Sequence, residues 1–183
     1  DYQKFLDQTA SPILEKWLDK LKNEDIIRPS IVYGYFPCGR VGNQLTVFGS
    51  TKHEILGTFD FPRQKSGNRL CISDFFADLV DGKPIDYLPM QAVTMGHLAS
   101  EFAQNLFEQD KYTDYLYFHG LIVQLAEALA EYNHSLIRIE CGFSDLEPDN
   151  IRAILAQKYR GCRYSFGYPA CPNVSYSRKQ LSW

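Results

Sequence analysis

Read only as apolar and polar positions, the chain changes period near its middle. Between Ser11 and Leu21, apolar residues recur at Leu14, Trp17, Leu18 and Leu21, the i, i+3, i+4, i+7 stripe of an amphipathic helix. Ser11 is placed to cap that helix, and Pro12 suits its first turn. Runs of another kind follow. IVYGYF (31–36) reads as a strand ended by Pro37, and LTVF (45–48) and EILGTFDF (54–61) as two more. Gly42-Asn43 and Ser66-Gly67-Asn68 are turn signals between such runs. LCISDFFADLV (70–80) predicts a short helix closed by Gly82 and Pro84, and DYLPMQAVTM (86–95) a strand weakened at Pro89.

From residue 97 the period is helical. HLASEFAQNLFEQ (97–109) puts Leu98, Phe102, Leu106 and Phe107 near one side, and residues 114–140 form a long helix with Ile122, Leu125, Leu129 and Leu136 on its core stripe. Pro148 opens one more helix, DNIRAILAQKY, which Gly161 ends. Strands come early and helices late, without repeated β-α alternation. That order predicts an α+β fold, a mixed, largely antiparallel sheet with long helices packed around it in a single domain.

Composition narrows the function classes. At 183 residues with 45% hydrophobic content, the chain can bury a real core, which excludes a disordered class. Net charge is −3 with acids and bases interspersed, and Arg178-Lys179 is too short a basic cluster for a nucleic-acid surface. No apolar run approaches the roughly 18 residues of a membrane span, and no signal-peptide pattern opens the chain. Five cysteines without a C-x-x-C pair argue against a disulfide framework and a zinc site, so no metal is expected and a reducing cytoplasm is the simplest setting. The start at Asp1 suggests a piece of a longer polypeptide.

Candidate chemistry is sparse. No G-x-x-x-x-G-K-[ST], G-x-G-x-x-G or G-x-S-x-G occurs, and GRVGN (39–43) reads as a turn. Glu127 and Glu131 with His134 on the long helix could do acid–base work or could form a solvated or partner-facing surface. Asp74, beside Phe75, Phe76 and Leu70, needs a capping role, a partner or a ligand. RYSFGYPACP (163–172) admits neither helix nor strand because Pro169 and Pro172 remove two backbone donors. It is either an aromatic plug or a loop shaped around a ligand, with Arg163 gripping an anion. Arg163 and Asp74 could pair with each other, or clamp the two ends of a zwitterion.

Several stretches occur together in order: YGYFPCGRVGN (33–43), FPRQ (61–64), LCISDFF (70–76), AVTMG (92–96), the helix motif HG-x(5)-AEALAEY (119–132) and R-x-x-x-GYPACP (163–172). Together they resemble the C-terminal activation domain of cobalamin-dependent methionine synthase, from about Ile13 to Pro172. The resemblance implies a single activation-type domain over residues 1–183, part of a methyltransferase, that binds S-adenosylmethionine. Reductive methylation would return cob(II)alamin to methylcobalamin, with cobalamin carried by a neighbouring domain. It implies two partners, the cobalamin-binding domain and a flavodoxin or related flavoprotein. It also implies roles: Asp74 for the ligand's amino group, Arg163 for its carboxylate, the backbone at Ser165 and Gly167 along the ligand with Tyr168 beside it, and Glu127 facing the cobalamin module. No residue is expected to be catalytic in its own right, and the isolated chain is not expected to turn over. In the family the domain continues well beyond this loop, whereas this chain stops at Trp183, which implies a shortened C-terminus. That departure keeps open a non-catalytic docking module for the cobalamin domain or flavodoxin. An independent methyltransferase is the third class.

Overall fold

The turn at Gly42-Asn43 joins β1 (Ser30–Val41) to β2 (Gln44–Phe48) in the computed structural model, which describes residues 2–183. Val41 faces Gln44 across this two-residue turn, and Gly42 takes φ +60. A positive φ at the first central position is why glycine stands there. β2 pairs antiparallel with β1 and with β3 (Ile55–Asp60), and β4 (Asp86–Thr94) completes a sheet of order β3-β2-β1-β4. β1 runs through Pro37 and does not stop there. Its register with β2 begins only at Cys38↔Val47, so the missing N–H falls outside that ladder. Pro89 lies within β4, an outer strand, where a lost donor is tolerated.

The helices are α1 (Tyr2–Phe5), α2 (Ser11–Asn23), α3 (His97–Glu108), α4 (Tyr112–Glu140), α5 (Ile151–Leu155) and α6 (Tyr176–Gln180). Three expectations are corrected. Ser11 does not cap α2, because Ala10 before it is already helical and a π-turn at Leu6–Ala10 leads in from α1. The helix expected over 70–80 is a single 3-10 turn, Ile72–Phe75. After it the chain bridges to β1 at Arg40↔Asp78, which withdraws those residues from helix formation. The helix expected from Pro148 to Gly161 is only α5, capped by the Asn150 side chain on Ala153 N–H and closed by Gln157 at φ +52.

The chain divides into two compact units, residues up to 32 with 93–133, and residues 33–92 with 134–183. The first is built on aromatic packing. Trp17, Phe102 and Phe118 meet pairwise at 4.7–6.2 Å between ring centroids, with Leu21, Ile26 and Leu106 buried around them. The expected stripes are thus used in part: Leu14 and Phe107 stay exposed. The second unit buries one face of the sheet under Phe59, which is 1% exposed and touches Phe61, Phe166, Tyr176 and Trp183. Cys38, Leu45, Val47, Cys71, Ile72 and Cys171 complete that core.

Candidate functional site

Two segments of the second unit carry most of the expected site residues, and both are anchored in its one core. The first is the 3-10 turn holding Asp74. Ile72 and Cys71 are buried in the core, and the Ser73 hydroxyl donates to the Gly42 carbonyl at 3.0 Å, tying the turn to the β1–β2 hairpin. Asp74 then reaches back to cap its own turn, accepting from Cys71 N–H at 2.9 Å. Arg63 grips the same carboxylate with two parallel bonds, each 2.7 Å, and Arg40 adds a longer one at 3.3 Å. The bonds from Arg63, followed by that from Cys71 N–H, hold Asp74 down to about 2, so it is ionised at any ordinary pH.

The two arginines differ in what else binds them. Arg63 also donates to Asn43 Oδ1 at 3.0 Å and to the Arg69 carbonyl at 2.7 Å, so it fastens three turns together. Arg40 donates to Asp78 at 2.8 and 3.2 Å. Its backbone is already registered with that segment through Arg40 N–H to the Ala77 carbonyl, 2.9 Å. The crossing is close: a Cβ at Gly39 would lie 2.2 Å from Leu79 Cδ2.

The second segment is the 163–172 loop. Gly167 N–H donates to the Cys171 carbonyl and Cys171 N–H to the Tyr168 carbonyl, both at 2.9 Å, and Cys171 Sγ donates to the Ser165 carbonyl at 2.8 Å. Gly167 takes φ +98, a conformation L side chains avoid. Phe166 turns inward onto Phe59, centroids 5.6 Å apart, and Cys171 is buried. Gly167 and Tyr168 face outward, the Tyr168 side chain 61% exposed, while Arg163 and Ser165 are half-buried. The aromatic-plug reading is thus observed for one side of the loop, and the other side is open. Its Phe166 and Cys171 plug the core, and its Gly167–Tyr168 crest presents backbone and ring to solvent.

Glu127 lies in the first unit, half-buried on α4 between Ala126 and Leu129, both of which pack on that unit's core. His134, considered for a solvated face, is buried in the second unit, where Arg138 lies 2.7 Å from its Nδ1. Arginine can only donate, so Nδ1 accepts and the ring's proton sits on Nε2. Arg138 also pairs with Glu147 and stacks over Tyr159 at 3.7 Å. This is a packed structural cluster. Among the described residues no group of three or more His, Cys, Asp or Glu could hold a metal, and no helix is long and apolar enough to cross a membrane.

Residues 9–182 match the family model described as vitamin B12 dependent methionine synthase, activation domain. The chain belongs to that family. It is 38% identical over 193 aligned positions to methionine synthase of Mycobacterium tuberculosis, covering 99% of this chain and 16% of the relative. To methionine synthase of Mycobacterium leprae it is 39% identical over 185 positions, covering 94% and 15%. The activation domain thus spans about a sixth of the length of these curated relatives. A crystal structure of the MetH reactivation domain bound to AdoHcy superposes with TM-score 0.81 at 29% identity, covering all of this chain and 60% of that one.

In the sequence of this activation domain Asp74 stands out, but neither arginine that holds it does: Arg63 reads only as part of FPRQ and Arg40 as part of a turn. The one available signal was Asp74 itself, a lone acid in an apolar stretch that had to find partners.

Proposed function

We propose that this chain is the S-adenosylmethionine-binding reactivation module of a cobalamin-dependent methionine synthase. In this reading it acts when cobalamin on a neighbouring domain has been oxidised to cob(II)alamin. One electron from a flavodoxin or related flavoprotein and one methyl group together restore methylcobalamin, in the cytoplasm. The observation that carries the reading is the likeness, over the whole of this chain, to part of a reactivation domain bound to AdoHcy, the demethylated counterpart of the methyl donor.

The residues suit such a ligand. A half-buried Arg163 offers a planar fork for its carboxylate. The exposed backbone at Gly167 has no Cβ to hold a ligand off, Ser165 is its near neighbour in the loop, and Tyr168 offers a ring face. Asp74 carries the negative charge an ammonium group requires. Glu127, in the first unit, is assigned to the surface that meets the cobalamin domain. When bound, S-adenosylmethionine supplies a methyl group already activated by its sulfonium, so the chain's task is binding and orientation. By itself the chain turns nothing over.

A docking module without a ligand site is the second reading, favoured by one observation: Asp74 is already bonded to Arg63, Arg40 and Cys71 N–H. Calorimetric titration with S-adenosylmethionine separates the two. The first reading requires saturable binding, weakened in Arg163→Ala by about 1.5–3 kcal/mol, the worth of a hydrogen bond to a charged group, or roughly tenfold to a hundredfold in Kd. An unchanged Kd in a folded Arg163→Ala chain removes Arg163 from the site. Absence of binding to the wild-type chain leaves the docking reading.

A further inference from the structure

An ionised carboxylate offers about four acceptor positions, and at Asp74 all four are filled by the protein. Oδ1 accepts from Arg63 at 2.7 Å and Arg40 at 3.3 Å, and Oδ2 from Arg63 at 2.7 Å and Cys71 N–H at 2.9 Å. An incoming ammonium group must displace one of them. Three are poorly placed to leave. The Cys71 bond caps the 3-10 turn, and the two Arg63 bonds come from a guanidinium held in place by Asn43 and the Arg69 carbonyl. The fourth is the longest, and its donor has a second carboxylate to keep: Asp78, which accepts from Arg40 at 2.8 and 3.2 Å across a backbone bridge.

We propose that Arg40 is an internal stand-in for the ligand's ammonium group, occupying one acceptor position of Asp74 until the ligand displaces it, after which Asp78 retains the guanidinium. The proposal rests on the reading of Asp74 as the receiver of that ammonium. It gives the two arginines opposite roles. Arg63 is a positioning residue that aims the carboxylate, and Arg40 competes with the ligand. It also biases selectivity, because a ligand with a cationic donor replaces the charge of the guanidinium as well as its hydrogen bond, which a neutral donor does not.

The signs of three substitutions test this, each read as the Kd for S-adenosylmethionine by calorimetry, with circular dichroism melts confirming the fold. Arg40→Gln removes the competitor and is expected to tighten binding about two- to fivefold, the scale of a partly exposed ion pair. Asp78→Asn deprives Arg40 of its alternative, strengthens its hold on Asp74, and is expected to weaken binding. Damage to the fold could only weaken both, so tightening in Arg40→Gln is an outcome a merely structural role does not produce. Unchanged or weaker binding by folded Arg40→Gln, with Asp74→Asn abolishing binding, overturns the stand-in and leaves the Asp74 contact intact. Binding that Asp74→Asn leaves unchanged overturns the assignment of Asp74 itself, and the stand-in with it.

Discussion

Gly167→Ala asks whether the crest of the 163–172 loop depends on a missing Cβ. The native φ of +98 lies beyond the left-handed well near +57 that other residues occasionally visit. Holding alanine in so sparsely populated a region costs about 1–3 kcal/mol. The new Cβ would also stand 3.1 Å from Val174 Cγ1, tighter than ordinary contact, but Val174 is exposed and free to shift by the small distance needed. Alanine stiffens the unfolded chain, which offsets about 0.4–1 kcal/mol. The net expectation is a loss of about 1–2 kcal/mol. Urea denaturation of the wild type, Gly167→Ala, Val174→Ala and the double variant measures it as a lower midpoint at unchanged m-value. Removing Val174 Cγ1 should recover only the packing part. Full recovery in the double variant would show that the backbone angle was never the constraint, and a neutral or stabilised Gly167→Ala would refute the argument entirely.

Three further expectations follow from the packing and charges. Phe59→Ala removes the ring on which four other aromatics converge, and should lower stability by about 3–5 kcal/mol in the same assay; a loss under about 1 kcal/mol would mean the neighbouring rings collapse into the gap. Asp74, held to about 2 chiefly by Arg63, and Glu147, lowered chiefly by Arg138, lie below their unfolded values. Their contribution is therefore present above the ordinary carboxylate range and lost as pH falls, for Asp74 down to about 2. Stability measured from pH 6 to pH 2 should fall less steeply in Asp74→Asn, and an identical slope would remove Asp74 from the linkage. Cys141 and Cys162 are exposed while Cys38, Cys71 and Cys171 are buried, with burial pushing Cys38 up to about 12. A disulfide reagent at pH 8 should titrate two thiols in the native chain and five in denaturant; a third fast native thiol would contradict that core.

What could be read from the sequence divides by the range of the interactions that decide it. The stripe through Trp17 and Leu21 and the run from residue 97 to 140 are set by local periodicity, and both became helices. The strands at 45–48 and 54–61 were legible for the same reason. Pro37 misled because its cost depends on where β2 begins to pair, which the sequence does not display. Residues 70–80 misled because distant groups claim them: Arg63 and Arg40 take Asp74, and Arg40 pairs again at Asp78. The loop at 163–172 announced its irregularity through Pro169, Pro172 and Gly167. Which of its rings would face inward was decided by Phe59, more than a hundred residues earlier.

One short helix has a consequence for how this chain behaves among its own copies. α6 reaches both outer strands of the sheet: Lys179 Nζ donates to the Thr58 carbonyl of β3, Gln180 Nε2 to the Gln91 carbonyl of β4, each at 2.8 Å, and Tyr176 Oη accepts from Asp60 N–H at 3.1 Å. Unclaimed backbone groups on an outer strand are a template on which another chain can add its own. By occupying three of them, on both outer strands, with the side chains of Tyr176, Lys179 and Gln180, α6 works as a guard against strand-to-strand aggregation as well as a lid on Phe59. Colloidal behaviour and the shape of the 163–172 loop thus depend on the same aromatic centre.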